Sequence, residues 1–247
     1  MGLFGKFKDY QATRSEKRLE KAAKLVKNPK AIKEDRWSAL KFLADDAEGA
    51  ERVINALLSR FEYSLEHGIL DSREKDLALK GVIRFGEEGV PVIEEWIKKT
   101  DRIAWPIKAL KAVTDEKQVV ESLKAALVLE DVRFDQAKVD KNYDILCYMR
   151  DFQLSGFEES ISHFLKDSDE RVRFAAAESL IEQESNEVAQ YLEPFLSDTT
   201  SENRRIKEAV TRAFIERKWP VKDGAAFTDG YISDNARLSQ QGLVERV

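Results

Sequence analysis

Apolar residues recur along this chain at three- and four-residue intervals, in runs of roughly 10–15 residues separated by short polar turns. Period-two alternation, the mark of a half-buried strand, is sparse. The pattern predicts an all-α fold. Residues 167–181, DSDERVRFAAAESLI, depart from the ordinary amphipathic form. On a helical wheel Val172, Ala175, Ala176 and Leu180 make one apolar arc, and Phe174, Ala177 and Ile181 make a second. A helix with one arc covers a single core, whereas a helix with two is packed between neighbours on both sides. Alanine at such contacts lets helix axes approach to ~8–10 Å. Asp167 or Ser168 is positioned to cap this helix, and Glu170 to complement its dipole.

The same pattern returns. HFLKD at 163–167 and PFLSD at 194–198 lie 31 residues apart, each between two helical runs. Upstream, VPVIEEWIKKTD leads into RIAWPIKALKAV in the same rhythm, and KNPKAIKEDRWSALKFL reads as the second half of an earlier unit. With Ala176 as the anchor, the counterparts are Ala39, Ala78, Ala109, Ile145 and Ala209, at steps of 39, 31, 36, 31 and 33 residues. That spacing suits a unit of two antiparallel helices and two short turns.

Leu165-x-Asp167-x-Asp169-x-x-Val172-Arg173-x-x-Ala176-Ala177-x-x-Leu180 resembles the HEAT repeat, in the form common among bacterial HEAT-like proteins. The likeness extends to Arg36–Leu43 and Ile107–Val113 and thins over 140–150, where Ile145 replaces the alanine. The resemblance implies a right-handed α-solenoid of about six HEAT-like helix pairs over residues 12–218. First helices would form its convex side and second helices would line the concave side. It also implies that Asp167 and Arg173 make structural contacts between repeats. Residues 1–11 then form a basic amphipathic leader. Residues 219–247 form an extended C-terminal tail, rich in Gly and Asp turn signals, with Phe227, Tyr231 and Ile232 favouring some packing.

Charge sharpens this picture. The net charge of −5 conceals ten Lys or Arg against three acids in residues 1–33, a sum of +7, so the remainder carries −12. Such an acidic body disfavours tight contact with a phosphate backbone, and nucleic acid is not the expected partner. The single cysteine, Cys147, excludes an internal disulfide framework and fits a reducing compartment. No apolar run approaches the ~20 residues that span a bilayer, and Lys6 and Lys8 interrupt any signal-peptide core. A cytoplasmic protein is expected.

Little chemistry is visible. The two histidines, His67 and His163, are far apart and neither precedes Glu, unlike the His-Glu pairs of HEAT-like di-iron hydroxylases. His67 is expected near a helix end and His163 on a helix surface. The acids of GEEG at 86–89 oppose an anion cradle. No cofactor, metal or catalytic residue is assigned. Phycobilin lyases share these repeats, which are not in themselves a sign of lyase activity.

Variation between repeats is more informative. The position of Glu178 is occupied by Lys41, Lys80 and Lys111 in the first three units, then by Cys147, Glu178 and Thr211. Three lysines would stack along the concave face, either as a ladder for an acidic peptide or as solvated charges paired locally. Trp37, Tyr143 and Phe174 share another position, suited to inter-repeat packing or, if exposed, to anchoring a partner. Leu3, Phe4 and Phe7 beside Lys6 and Lys8 could cover the first repeat or touch anionic lipid. The leading expectation is a non-catalytic scaffold or adaptor that binds an acidic or extended segment of another protein. The alternatives are a HEAT-like DNA glycosylase, for which Trp37 and Trp105 speak, and a peripheral membrane adaptor using the leader.

Overall fold

In the computed structural model, residues 3–130, 134–153, 155–224, 227 and 230–247 are described, with side chains from Thr13 onward. The chain folds as two compact units, Met1–Ala126 and Leu127–Val247. Twelve α-helices form among the described residues, with one small sheet.

The first unit holds α1 (Leu3–Lys27), α2 (Lys33–Asp45), α3 (Ala50–Leu58), α4 (Gly68–Ile83), α5 (Val90–Lys99), α6 (Ala104–Val113) and α7 (Glu116–Ala126). Two series of neighbours run through it. Helices α2, α4 and α6 pack in order against one another, and so do α1, α3, α5 and α7. The anchors Ala39, Ala78 and Ala109 are buried at the centres of α2, α4 and α6. Gly81 marks the tightest approach. A Cβ there would lie 2.8 Å from Ala44 Cα and 2.7 Å from Leu57 Cδ1.

The second unit holds α8 (Gln136–Met149), α9 (Glu158–Ser162), α10 (Glu170–Ile181), α11 (Ala189–Leu192) and α12 (Arg204–Arg217). Helix α10 packs on both α8 and α12. This accounts for its two apolar arcs: Val172, Ala175, Ala176, Ala177 and Leu180 are all buried. Its N-cap is Asp169, which accepts from the Arg171 amide at 2.8 Å, and not Asp167 or Ser168. Asp167 instead accepts from the Asp169 amide and shapes the turn. In α12 the buried anchor is Val210, one residue beyond Ala209, which is half-buried.

The end of the chain adds a small sheet to an otherwise helical fold. Residues 219–247 contain β1 (Tyr231–Ser233), β2 (Ala236–Leu238) and β3 (Val244–Arg246), an antiparallel sheet in sequence order, with β3 against α12. Strands of three residues are too short to show period-two alternation. Trp219 is buried edge-on to Phe214 and donates to Asn186 Oδ1 at 2.8 Å. Phe227 and Ile232 are buried as well, while Tyr231 stays exposed. Glu193 accepts from the Lys222 and Asp223 amides, which ties the segment to the 3-10 turn Glu193–Leu196. No helix among the described residues is long and apolar enough to cross a membrane.

Candidate functional site

Two contacts recur at fixed distances from the anchors. The first lies three residues before the anchor. Arg36 donates to the Pro29 and Ala31 carbonyls at 3.3 and 2.8 Å. Arg173 donates to those of Asp167 and Ser168 at 2.9 and 3.1 Å. Asn142 bonds both backbone groups of Val128, Lys207 reaches the Asp198 carbonyl, and Lys75 reaches Ser64 Oγ. In each case a polar side chain bonds groups of the turn before its own helix. Pro106 is the exception.

The second contact involves the aromatic position. Arg73 lies over the Trp37 ring at 5.5 Å, Arg171 over Tyr143 at 5.5 Å, and Arg205 over Phe174 at 3.6 Å. Each arginine stands five residues before the next anchor, counting Val210 as the last. These cation–π contacts join α2 to α4, α8 to α10, and α10 to α12. Trp37 and Tyr143 are therefore half-buried rings covered by guanidinium groups. Trp37 belongs to the first unit and Tyr143 to the second.

Lys41 and Lys80 take part in neither contact. Lys41, Lys80 and Lys111 are exposed on α2, α4 and α6, helices that pack in sequence. Among the described residues, neither Lys41 nor Lys80 is held in an ion pair. In the second unit the same position carries Cys147 and Glu178; burial pushes the Cys147 thiol above its ordinary range, so little thiolate forms near neutrality. Glu178 is engaged by Arg150 at 3.2 Å; in α12 the Ala209 register would put the buried Thr211 at this position, whereas counting from Val210 puts the exposed Arg212 there. The leader residues Leu3, Phe4, Lys6, Phe7 and Lys8 belong to α1, but their side chains lie outside the described residues.

Sequence reasoning missed the main buried electrostatic feature. Glu74 is 0 % exposed and accepts from Arg36 Nε at 2.9 Å and Arg60 Nε at 2.7 Å. Arg60, also 0 % exposed, donates to Asp71 Oδ1 at 2.7 Å, and Lys75 meets Asp71 Oδ2 at 2.7 Å. Three cations face two carboxylates. The excess positive charge is absorbed by the turn carbonyls, by the Tyr63 carbonyl, and by the Tyr63 ring 4.4 Å from Arg60. Burial opposes ionisation of Asp71, but hydrogen bonds from Lys75, Arg60 and the Leu65 amide outweigh it and hold its carboxyl at about 2. Tyr63 donates to the Val26 carbonyl at 2.6 Å, and burial raises its hydroxyl above the usual range despite Arg60 and Arg36. The groups of this network are spent on one another, and their arrangement is that of a structural brace.

Other sites read from the sequence resolve simply. His67 caps α4, its Nδ1 accepting from the Leu70 amide at 3.4 Å, and His163 is exposed in a 3-10 turn. Trp105 stacks on Phe61 at 5.5 Å and 11°, and Trp96 Nε1 donates to Glu62. Among the described residues no group of three or more His, Cys, Asp or Glu is placed to hold a metal ion. An open groove of about 880 Å³ runs over α1, α3 and α5, with Leu19, Ala23, Ala56, Tyr63 and Trp96 in its walls. Comparisons with family models, curated proteins and solved structures find no match to this chain.

Proposed function

We propose that the chain is a HEAT-type α-solenoid serving as a non-catalytic scaffold, and that α2, α4 and α6 present a lysine row to an acidic, extended segment of another protein. The recurring turn and cation–π contacts support the repeat reading, because the same residue positions perform the same task in successive helix pairs. One observation carries the functional reading: three exposed lysines occupy one repeat position on three successively packed helices. A row of like charges left facing solvent favours an anionic partner and speeds its encounter. Helical repeats offer many side chains to a long ligand, which suits an unfolded peptide.

The test is direct. A fluorescein-labelled peptide rich in Asp and Glu is titrated against the full chain and against K41E/K80E/K111E over a range of salt. Reversal of the row weakens binding by about tenfold or more and flattens the salt dependence. Unchanged affinity overturns the assignment of this face.

A further inference from the structure

We infer that the first unit carries a second docking surface, the groove over α1, α3 and α5, and that its occupant is an amphipathic helix of a partner protein, acidic at one end. The groove holds about 880 Å³. Its floor is one face of α3 and of the 3-10 turn that prolongs it: Arg52, Asn55, Ala56, Ser59 and Tyr63 line it at spacings of three and four. That face runs for about three turns, roughly 17 Å. Ala23 of α1 and Trp96 of α5 stand in the flanks. With Asn55, Ala56 and Ser59 on the floor, an added helix can approach α3 to the ~8–10 Å of ordinary helix packing.

The chemistry of the walls selects the occupant. First, their polar groups are turned inward. Asn55 Nδ2 donates to the Glu51 carbonyl at 2.9 Å, and Ser59 Oγ to that of Ala56 at 2.6 Å. The Tyr63 hydroxyl serves the Val26 carbonyl, while Trp96 Nε1 and the Thr100 hydroxyl both donate to Glu62, at 3.0 and 2.7 Å. What faces the groove is therefore mostly carbon. Second, the surrounding elements are helices, whose backbone bonds are closed within themselves. An extended peptide laid there would leave its own N–H and C=O groups without partners, whereas a helix brings its hydrogen bonds with it. Third, the charge is uneven. Arg52 meets Glu16 and Glu20 while Tyr63 reaches Val26, so α1 and α3 run the same way. Lys24 and Lys27 thus line the Tyr63 end of the groove, and Glu51 the other. Both lysines are exposed and make no ion pair among the described residues; Lys99, by contrast, is held by Glu95. The α1 C-terminus sets only about half a negative charge against their two. Acidic residues at the matching end of a docked helix complete the pairing.

This surface is separate from the lysine row, and its test is run in the full-length K41E/K80E/K111E background so that the row cannot contribute. The probe is a fluorescein-labelled, stapled helical peptide of about twelve residues. It carries a Leu and Ala stripe at helical spacing and Glu in its first turn. One control replaces the Glu residues by Lys, and another scrambles the stripe. Expected are saturable binding of the Glu probe and binding at least about tenfold weaker for both controls. K24E/K27E should lose about tenfold for the Glu probe and recover it for the Lys probe. A23W, at a half-buried position, fills the groove and should abolish binding with the urea midpoint unchanged. Should A23W fail to fold, the surface pair and its charge-swapped probe carry the test alone. Absence of saturable binding, equal affinity for the scrambled probe, or indifference to K24E/K27E overturns the inference. So does complete displacement by dodecanoate, which would make the groove an acyl-chain site. Self-association of the chain that A23W abolishes also overturns it, because the occupant would then be a second copy.

Discussion

The arginines at 36 and 173 each stand three residues before a buried alanine, Ala39 and Ala176, yet they lead into opposite environments. Both bind two carbonyls of the preceding turn through Nη1, and both extend Nε towards the next helix pair. Arg36 meets Glu74, which is itself held by Arg60, with Asp71 and Lys75 beyond. Arg173 meets the neutral Asn203 at 3.0 Å, and Asn203 in turn donates to Asp198 at 2.6 Å. One junction is a charged and largely buried network; the other is a short chain of hydrogen bonds near the surface. The geometry of a repeat can thus be kept while its energetic character changes. Buried ion pairs stabilise little compared with apolar replacements, but breaking one leaves a stranded charge. The first junction should therefore be brittle and the second forgiving.

The largest expected effect tests that brittleness. Glu74→Ala strands two buried guanidinium groups and should cost about 3–5 kcal/mol in urea unfolding. Replacing the set with apolar residues, as R36M/R60M/E74L, should recover much of that loss. A cost for E74A no larger than that for N203A would erase the contrast. Next comes acid sensitivity. Asp71 is held at about 2, below the usual ~3.9 of a carboxylate in an unfolded chain. Its contribution, about 2 kcal/mol, is complete above pH ~5 and is lost as pH falls through about 2. D71N should flatten the stability profile over that range, and a slope equal to that of the parent would remove Asp71 from the account. Gly81→Ala, in the same unit, should cost about 1–3 kcal/mol, because the added methyl meets the α2 backbone at Ala44.

The forgiving side follows. Ser179, the counterpart of Gly81 three residues past the anchor, should accept alanine with only the loss of its bonds to the Leu146 and Ala175 carbonyls. Asn203→Ala should cost about 1 kcal/mol, the ordinary worth of a hydrogen bond that water can replace. The smallest effect belongs to the lysines. Neutralising Lys41 or Lys80 should move stability by less than about 0.5 kcal/mol. A larger loss would mean that these side chains are part of the fold and not free for a partner.

How much of this is legible in the sequence depends on the range of each contact. The helical period and the doubly apolar α10 are local properties, and they read correctly from Val172, Ala176 and Leu180. The last anchor slips from Ala209 to Val210 because alanine serves equally well on either side of a helix face; the Arg205–Phe174 contact fixes the register where composition cannot. The pairing of Arg36 with Glu74, and the enclosure of Arg60 beside it, leave no mark in the local sequence. Their burial comes from a 38-residue separation that no spacing rule contains. The sheet was hidden by its own brevity, since three-residue strands carry no period. Exposure of Lys41, Lys80 and Lys111 is simple to expect in charged side chains; the order in which their helices pack had to be seen.

The arginine-covered rings have one more consequence. The position holds Trp37, Tyr143 and Phe174, three side chains with little in common except a flat apolar face. Arginine is constant opposite them, because a planar and permanently charged group is what lies well on such a face. A junction that requires flatness on one side and planarity on the other tolerates drift of one partner while the other stands still. Helix junctions built in this way can change their letters while keeping their contacts.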